Sequence, residues 1–382
     1  MPSRLRIGVN ALYLIPGGVG GTEIYLRNLL GALSEIDRRN EYFVYVNRET
    51  GVDLCPPQAN FAPVETGVKA SFRPGRLLWE QLRLPAYTRS DRLDILCSPG
   101  FTTPSWGRGR RVTVIHDLQH KRQPQNFGRI ERLAWNWCVA QAVKSSSMII
   151  TVSESSKKDI IEFYGVSPDD IRVVGHGVEN DFFDLKKNET YGPEIPTEAG
   201  LPDAPYLLAV STVHPHKNWE RLLAAYESVA REEEDLQLAV VGLPGKSWDA
   251  VKAIIEAKGL SQRVHLLGWQ PRKTLIGLFK YAEALVFPST FEGFGMPVLE
   301  AMAAGVPIAC SDIPPLRELA DGCASFFDPT SSDDMAAAIR GLRRDEFQRK
   351  KFVTAGIKRA KNSTWHRAAE QTLGIFLEAS QR

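Results

Sequence analysis

Two carboxylates flank a glycine-rich stretch in the second half of the chain. Glu292 and Glu300 are separated by seven residues, which begin with Gly293, Phe294, Gly295 and Met296. Pro297 suits the first position of a helix and Gly305 its end, so we expect Glu292 on a loop and Glu300 in the opening turns of that helix. The pattern predicts a site where carboxylates hold sugar or ribose hydroxyls and main-chain amides hold phosphate. Stabilisation of the helix dipole alone is the alternative.

A lysine follows the first strand-like run of the same half. Ser211 begins the loop after that run, and Lys217 directly precedes Asn218, which can cap a helix starting near Trp219. A cation at this positive helix end is unfavourable unless an anion lies between them. We therefore expect Ser211 and Lys217 to meet an anionic ligand, with a solvated loop lysine as the alternative.

Two further features lie in the first half. A glycine loop, residues 16–21, follows the first strand-like run, and Gly20 and Gly21 would let the backbone approach a ligand closely. The loop lacks the third glycine of the dinucleotide fingerprint, which weighs against nicotinamide binding and leaves a plain turn as the other alternative. His116 closes the predicted strand 111–116 at the edge where such sheets bind ligands. A structural histidine is the alternative there.

Apolar runs bounded by turn residues alternate with amphipathic runs along the whole chain, which indicates parallel sheets wrapped by helices. The predicted strands are 6–12, 42–46, 94–98, 111–116, 148–152, 206–211, 236–241, 264–267, 284–287 and 306–310. The polar stretch 179–205 shows no sustained period. We predict an α/β chain of two Rossmann-like, doubly wound domains, 1–190 and 191–364, facing a central cleft that binds the ligand. A last helix within 365–382 could pack on either domain.

Composition excludes several classes of protein. The 382 residues are 43% hydrophobic and carry 47 Lys and Arg against 45 Asp and Glu, too balanced for a nucleic-acid coat. Five widely spaced cysteines without a C-x-x-C pair weigh against a disulfide framework or structural zinc. No stretch reaches the roughly 18 apolar residues of a membrane-spanning helix. We expect a cytoplasmic protein with no nucleic-acid partner and no metal site.

The Glu292 to Glu300 pattern, followed by Ala303-Ala304-Gly305-Val306-Pro307, resembles that of retaining glycosyltransferases of family 4, which have the two-domain GT-B fold. The resemblance extends over almost the whole chain. It includes the glycine loop, His116-Asp117, the run 151–157, Lys217-Asn218 and Trp365. It implies a transfer, without metal or cofactor, from a nucleotide-diphosphate sugar to an acceptor hydroxyl with retained anomeric configuration.

The resemblance also implies roles for single residues. The residue matching Glu300 holds the ribose, the one matching Glu292 lies near the donor sugar, and the one matching Lys217 neutralises the diphosphate. His116 matches a histidine beside the sugar. The catalytic set is thus His116, Lys217 and Glu292, and the last helix of such enzymes crosses back to the N-terminal domain.

One element of the family pattern is missing. Many members carry an arginine before the lysine as a second phosphate clamp, but Ser211 and His216 occupy the candidate positions here. His214, His216 or an arginine from elsewhere in the chain could take over that role.

A further resemblance narrows the choice of sugar donor and of acceptor. The chain resembles mannosyltransferases of surface-polysaccharide assembly, which favours GDP-mannose over a UDP-sugar and a glycan or lipid-linked acceptor. Fourteen Lys and Arg stand against five Asp and Glu between Lys69 and Lys144. Part of this excess, residues 73–84, interleaves arginine with Leu and Trp and would suit an anionic membrane surface at the inner membrane or a lipid diphosphate. An ordinary amphipathic helix with Leu and Trp packed on the sheet is the alternative.

Two other functions fit the same pattern. A nucleotide-sugar epimerase on this fold would need no acceptor, and a non-catalytic sugar-nucleotide sensor would be expected to have lost the site residues. His116, Lys217, Glu292 and Glu300 are all present.

Overall fold

The computed structural model of the chain describes residues 4–18, 20–183, 185 and 188–382. It divides into two compact units, Met1–Gly177 with Thr364–Arg382, and Val178–Ser363. The division therefore falls some distance before residue 190, where composition had placed it. Phe182 and Tyr191, within the polar stretch, are buried in the core of the second unit, and this burial draws the segment into that unit.

The first unit contains a seven-stranded parallel sheet in the order β3-β2-β1-β4-β5-β6-β7. Its strands are β1 (Arg6–Asn10), β2 (Glu41–Val46), β3 (Phe61–Glu65), β4 (Ile95–Ser98), β5 (Arg110–Ile115), β6 (Met148–Thr151) and β7 (Ile171–Val173). Its helices up to residue 177 are α1 (Gly21–Ile36), α2 (Arg73–Leu82), α3 (Leu84–Ser90), α4 (Gln119–Arg122), α5 (Arg129–Ser145) and α6 (Glu154–Tyr164). The strand order reverses between β1 and β4, where doubly wound sheets bind ligands at the carboxyl edge.

The second unit repeats this architecture with six parallel strands in the order β10-β9-β8-β11-β12-β13. Its strands are β8 (Tyr206–Val210), β9 (Gln237–Val241), β10 (Val264–Gly268), β11 (Ala284–Phe287), β12 (Ile308–Ser311) and β13 (Ser325–Phe327). Its helices are α7 (Ile195–Glu198), α8 (Trp219–Ala230), α9 (Trp248–Ala257), α10 (Arg272–Tyr281), α11 (Met296–Ala304), α12 (Pro314–Ala320), α13 (Ser332–Arg344) and α14 (Glu346–Ala360). Here the order reverses between β8 and β11.

The C-terminal helix α15 (Trp365–Gln381) belongs to the first unit, where it packs along α1. Thr364 caps it by accepting a hydrogen bond from the main-chain N–H of Arg367. The start of α15 approaches Gly177 so closely that a Cβ atom at position 177 would lie 2.2 Å from the main-chain nitrogen of Trp365, which requires glycine there.

The central strands are short apolar runs buried on both faces. Every residue of β4, β6, β11 and β12 is buried, as expected for parallel strands covered by helices on each side. No helix in the described part of the chain has both the length and the apolar character needed to cross a bilayer.

The exposed and buried side chains of α2 differ from those expected of an ordinary amphipathic helix. Leu78 and Leu82 are exposed, whereas Arg76 and Glu80 are buried. The alternative in which Leu packs on the sheet and arginine faces water is therefore wrong for these positions, but Trp79 does pack against a buried cluster of the first unit, as that alternative expects. The Glu80 carboxylate has hydrogen-bond partners in the interior, which are described below.

Candidate functional site

The loops after β8 and β11 meet at the carboxyl edge of the second sheet. The main-chain N–H and the hydroxyl of Thr290 donate hydrogen bonds to the carbonyl oxygen of His216, at 2.8 and 3.1 Å. Beside this link, Lys217 Nζ lies 2.5 Å from Glu292 Oε1 and 5.5 Å from the centroid of the Phe287 ring. The two charged side chains are 14% and 13% exposed. An ammonium has three N–H donors, so Lys217 can hold Glu292 and an anion at once.

Asn218 fixes the loop that carries Lys217. It has φ = 59° and precedes α8, but its side chain makes no capping hydrogen bond, so the expected cap is wrong. Its Nδ2 instead donates to the carbonyl oxygens of Pro288, at 3.1 Å, and Pro329, at 2.7 Å. The hydrogen bond to Pro288 ties the Lys217 loop to the β11 loop, and Asn218 Oδ1 accepts from Arg221 Nη1 at 3.0 Å instead of from a main-chain N–H of α8.

The glycine-rich loop leads into α11. Gly295 has φ = 107°, and a Cβ atom at this position would lie 2.5 Å from Leu316 Cδ2. The helix begins at Met296, so Pro297 occupies its second position, one later than predicted. Gly305 ends it in the left-handed conformation, with φ = 69°. Glu292 therefore lies on the loop with Gly293 and Phe294, and Glu300 lies inside the helix.

Glu300 is 4% exposed and forms an ion pair that the sequence did not predict. Arg272 Nη2 donates to Glu300 Oε1 at 2.7 Å, and Arg272 Nε donates to Glu179 Oε2 at 2.8 Å. The guanidinium lies 4.7 Å from the centroid of the Phe182 ring. Burial raises the pKa of Glu300, and the Arg272 charge opposes this rise. The two carboxylates outweigh burial at Arg272 and raise its pKa.

Arg272 could have been found from the sequence. It is the first residue of α10, directly after Pro271. A cation at the positive end of a helix is the same misfit that singled out Lys217. Glu179 gives no such signal, since its partner lies 93 residues away in the chain.

Ser211 and the two nearby histidines also line the start of the β8 loop. The main-chain N–H of Ser211 donates to the carbonyl oxygen of Val241 at 2.9 Å. The His214 and His216 rings are nearly parallel, with centroids 6.0 Å apart. Burial, then the Lys217 charge, lowers the pKa of His216 to about 2, and burial also lowers that of His214. Both are therefore neutral near pH 7, where they offer N–H donors rather than the positive charge of an arginine clamp.

In the first unit, His116 directly follows β5 and is buried. Its Nε2 donates to the carbonyl oxygen of Pro99 at 3.1 Å, since a carbonyl can only accept. The ring meets Tyr25 edge-on, with centroids 4.9 Å apart, and lies parallel to the His176 ring at 5.6 Å. Burial lowers the pKa of His116 to about 4. The imidazole is therefore neutral at pH 7, with Nδ1 as its unprotonated nitrogen.

The run 151–157 positions His116. Thr151 Oγ1 donates to the carbonyl oxygen of Ile115 at 2.7 Å, and Ser156 Oγ donates to that of His116 at 3.1 Å. Ser153 caps α6 by accepting from the main-chain N–H of Ser156. These hydroxyls hold the end of β5 against β6 and α6.

The glycine loop of the first unit requires glycine at one clear position. Gly20 has φ = 59° and ψ = −128°, a conformation essentially restricted to glycine, and α1 begins at Gly21. The main-chain N–H of Gly17 donates to Glu23 Oε2 at 2.7 Å. Val19 lies outside the described residues. Gly20, Gly21 and His116 thus belong to the first unit, and the other predicted site residues to the second.

Comparison with known families assigns each half of the chain. The family model "Glycosyltransferase Family 4" matches residues 19–182, and the model "Glycosyl transferases group 1" matches residues 193–359. The chain belongs to the family-4 glycosyltransferases. It is therefore an enzyme, and the two matches coincide closely with its two units.

Several known proteins are similar to this glycosyltransferase. The O-antigen chain mannosyltransferase B of Escherichia coli is 27% identical over 268 residues, 70% of each chain. The O-antigen chain mannosyltransferase RfbU of Salmonella typhimurium is 28% identical over 249 residues, 65% of this chain. That match spans 64% of the Salmonella protein, slightly less than two thirds of its length.

Solved structures show the fold of this glycosyltransferase. Sucrose-phosphate synthase of Thermosynechococcus elongatus has a TM-score of 0.81 at 17% identity, covering 98% of this chain and 99% of that chain. HepE of Anabaena, solved in complex with UDP-glucose, has a TM-score of 0.76 at 17% identity, covering 97% and 99%. The chain has the GT-B fold.

Proposed function

We propose that this glycosyltransferase moves a hexose, with mannose favoured, from GDP-mannose to a hydroxyl of a glycan or lipid-linked acceptor. We further propose that the anomeric configuration is retained and that neither metal nor cofactor takes part. The names of the two O-antigen mannosyltransferases support the sugar. The observation that carries the proposal is the Lys217–Glu292 pair, held between two tied loops beside the start of α11.

The leaving group explains why a lysine is needed there. Cleavage of the glycosyl–phosphate bond adds negative charge to the diphosphate and positive charge to the sugar ring. Lys217 and the main-chain amides of the glycine-rich loop stabilise that negative charge, because they are already fixed in place when the bond breaks. One such donor contributes about 3 kcal/mol to the stabilisation of a transition state.

The carboxylates have separate roles in this proposal. Glu292 orients Lys217 and lies close to the donor sugar. Glu300 holds the ribose hydroxyls through Oε2, because Arg272 already donates to its Oε1. Arg272 thus acts as a positioning residue that orients the buried carboxylate, and its charge opposes the rise in the pKa of Glu300 that burial causes.

We assign His116 a role in the transfer step itself. Its neutral imidazole donates Nε2–H to Pro99, so Nδ1 can accept a hydrogen bond from a sugar hydroxyl. The hydroxyls of the run 151–157 keep the ring at the carboxyl edge of β5 for that purpose.

The proposal also places the enzyme in the cytoplasm, at the inner membrane surface. Two helices of the first unit expose large apolar side chains, Leu78 and Leu82 on α2, and Leu133 and Trp137 on α5. Exposed arginines lie close to these side chains in the sequence, Arg83 beside Leu82 and Arg129 near Leu133, which suits anionic lipid headgroups. Flotation with anionic liposomes at low salt tests this, with neutral liposomes as the control, and an unbound protein in both would contradict it.

A donor panel scored by nucleotide release tests the proposed reaction. GDP-mannose, other GDP-hexoses and UDP-hexoses are compared, with and without a polysaccharide or lipid extract as acceptor. We expect the fastest release from GDP-mannose. UDP-glucose is the main competing donor, because a similar structure contains it. Tighter binding of UDP than of GDP would overturn the proposal that the donor carries guanine. Sugar conversion without nucleotide release would identify an epimerase, and binding without turnover a sensor.

A further inference from the structure

The first unit contains a second polar cluster, which the proposed reaction has not used. Arg76 and Glu80 lie one turn apart on α2, and they are 7% and 1% exposed. Charged side chains are rarely buried so deeply unless they are paired or bind a ligand. The outer face of the same helix presents Leu78 to solvent instead.

The hydrogen bonds of this cluster are incomplete. Glu80 Oε2 accepts from Asn10 Nδ2 and from Thr102 Oγ1, each at 3.0 Å. Glu80 Oε1 is buried and has no hydrogen-bond partner among the described residues, and the same is true of Arg76 Nε and Nη1. Folded proteins seldom leave such groups unsatisfied, so these three atoms retain hydrogen-bonding capacity for a water or another bound molecule.

The cluster lies at the ligand edge of the first sheet. Asn10 ends β1, and Thr102 follows β4, the neighbouring strand at the point where the strand order reverses. The loop that carries Thr102 also carries Pro99, which accepts the hydrogen bond from His116. Phe101, between them, has its ring centroid 5.4 Å from that of His116. One short loop therefore contacts both the Arg76–Glu80 cluster and the histidine assigned to the transfer step.

We propose that Arg76 and Glu80 form a binding subsite for adjacent hydroxyl groups of the acceptor sugar. This inference rests on the proposed function. A hydroxyl can donate to Glu80 Oε1 while it accepts from an Arg76 N–H, so a pair of opposite charges suits a neutral polyol. A phosphate would gain the arginine but would be repelled by the carboxylate, which favours an uncharged sugar over an anionic group.

Binding of a simple sugar probe tests the subsite. Methyl α-mannoside and inorganic phosphate are titrated into the full-length wild type, the Glu80→Gln variant and the double variant Arg76→Met/Glu80→Met, and followed by NMR. The double variant removes both buried charges together, so neither charge is left alone in the interior. Arg73→Met is the matched control, since Arg73 is exposed on the same helix.

We expect the sugar to bind more weakly by at least tenfold in both subsite variants and within twofold of wild type in the control. The KM of a crude glycan acceptor should rise in parallel. Unchanged sugar binding in the folded double variant would overturn the subsite and leave a purely structural pair. Loss of phosphate binding instead would overturn the choice of a neutral ligand. Nucleotide release by the wild type is measured first, so a failed donor reaction is distinguished from a failed subsite.

Discussion

Replacing Glu300 by Gln should weaken nucleotide binding far more than the same change at Glu179. Both carboxylates accept hydrogen bonds from Arg272, at 2.7 and 2.8 Å, so each variant removes one charged partner of the same guanidinium. Only Glu300 is proposed to hold the ribose. A hydrogen bond to a charged group contributes about 1.5–3 kcal/mol, which corresponds to a loss of about tenfold to a hundredfold in affinity. For Glu179→Gln we expect less than a threefold loss.

Calorimetric titration with GDP and 2′,3′-dideoxy-GDP isolates the contact. The wild type should bind the dideoxy nucleotide about as weakly as Glu300→Gln binds GDP. The variant should hardly distinguish the two nucleotides, because its hydroxyl contact is already lost. Equal losses in the Glu300 and Glu179 variants would refute the reasoning, and so would a Gln variant that discriminates between the nucleotides as well as the wild type does.

Three further predictions concern stability. The pKa of His116 is about 4 in the fold and 6.5 in the unfolded chain. The unfolded chain therefore takes up a proton first as the pH falls below 6.5, and this lowers the free energy of unfolding. Urea unfolding should show a loss of about 2 kcal/mol at pH 5 that His116→Asn removes, and equal pH dependence in the two proteins would count against it. Asn218→Ala should cost about 2–4 kcal/mol through two hydrogen bonds and a strained left-handed residue. Asn218→Gly, which relieves that strain, should cost less, a ranking that the same unfolding experiment checks. Gly295→Ala should lower the free energy of unfolding by about 1–3 kcal/mol, because an alanine is strained at the positive φ of this position. A variant that unfolds at the same temperature as the wild type would contradict this.

The central strands were predictable from the sequence, whereas several edge strands were not. β11 is an unbroken apolar run and β6 is apolar except for Thr151, as expected for strands buried on both faces. β3 contains Pro63 and exposed residues, and β7 and β13 have three residues each, so no period can develop in them. Their strand character comes from pairing with a neighbour.

The site was predictable where a residue conflicts with its local surroundings. Lys217 stands at a helix start that disfavours a cation, and Gly295 adopts a conformation that favours glycine. Arg76 and Glu80 have the spacing of an ordinary exposed ion pair, four residues apart on a helix. The partners of the buried Glu80 carboxylate, Asn10 and Thr102, come from distant parts of the chain, so no local sequence pattern indicates them.

The interaction between Lys217 and the β-phosphate tests the central proposal most directly. GDP and GMP differ by that phosphate alone, so their affinities are measured for the wild type, for Lys217→Met, and for Lys217→Met/Glu292→Gln, which leaves no unpaired carboxylate. If uridine nucleotides bind more tightly, UDP and UMP are used. We predict that the wild type binds the diphosphate at least tenfold more tightly and that both variants lose this preference. A preference that survives the loss of Lys217 would contradict the account.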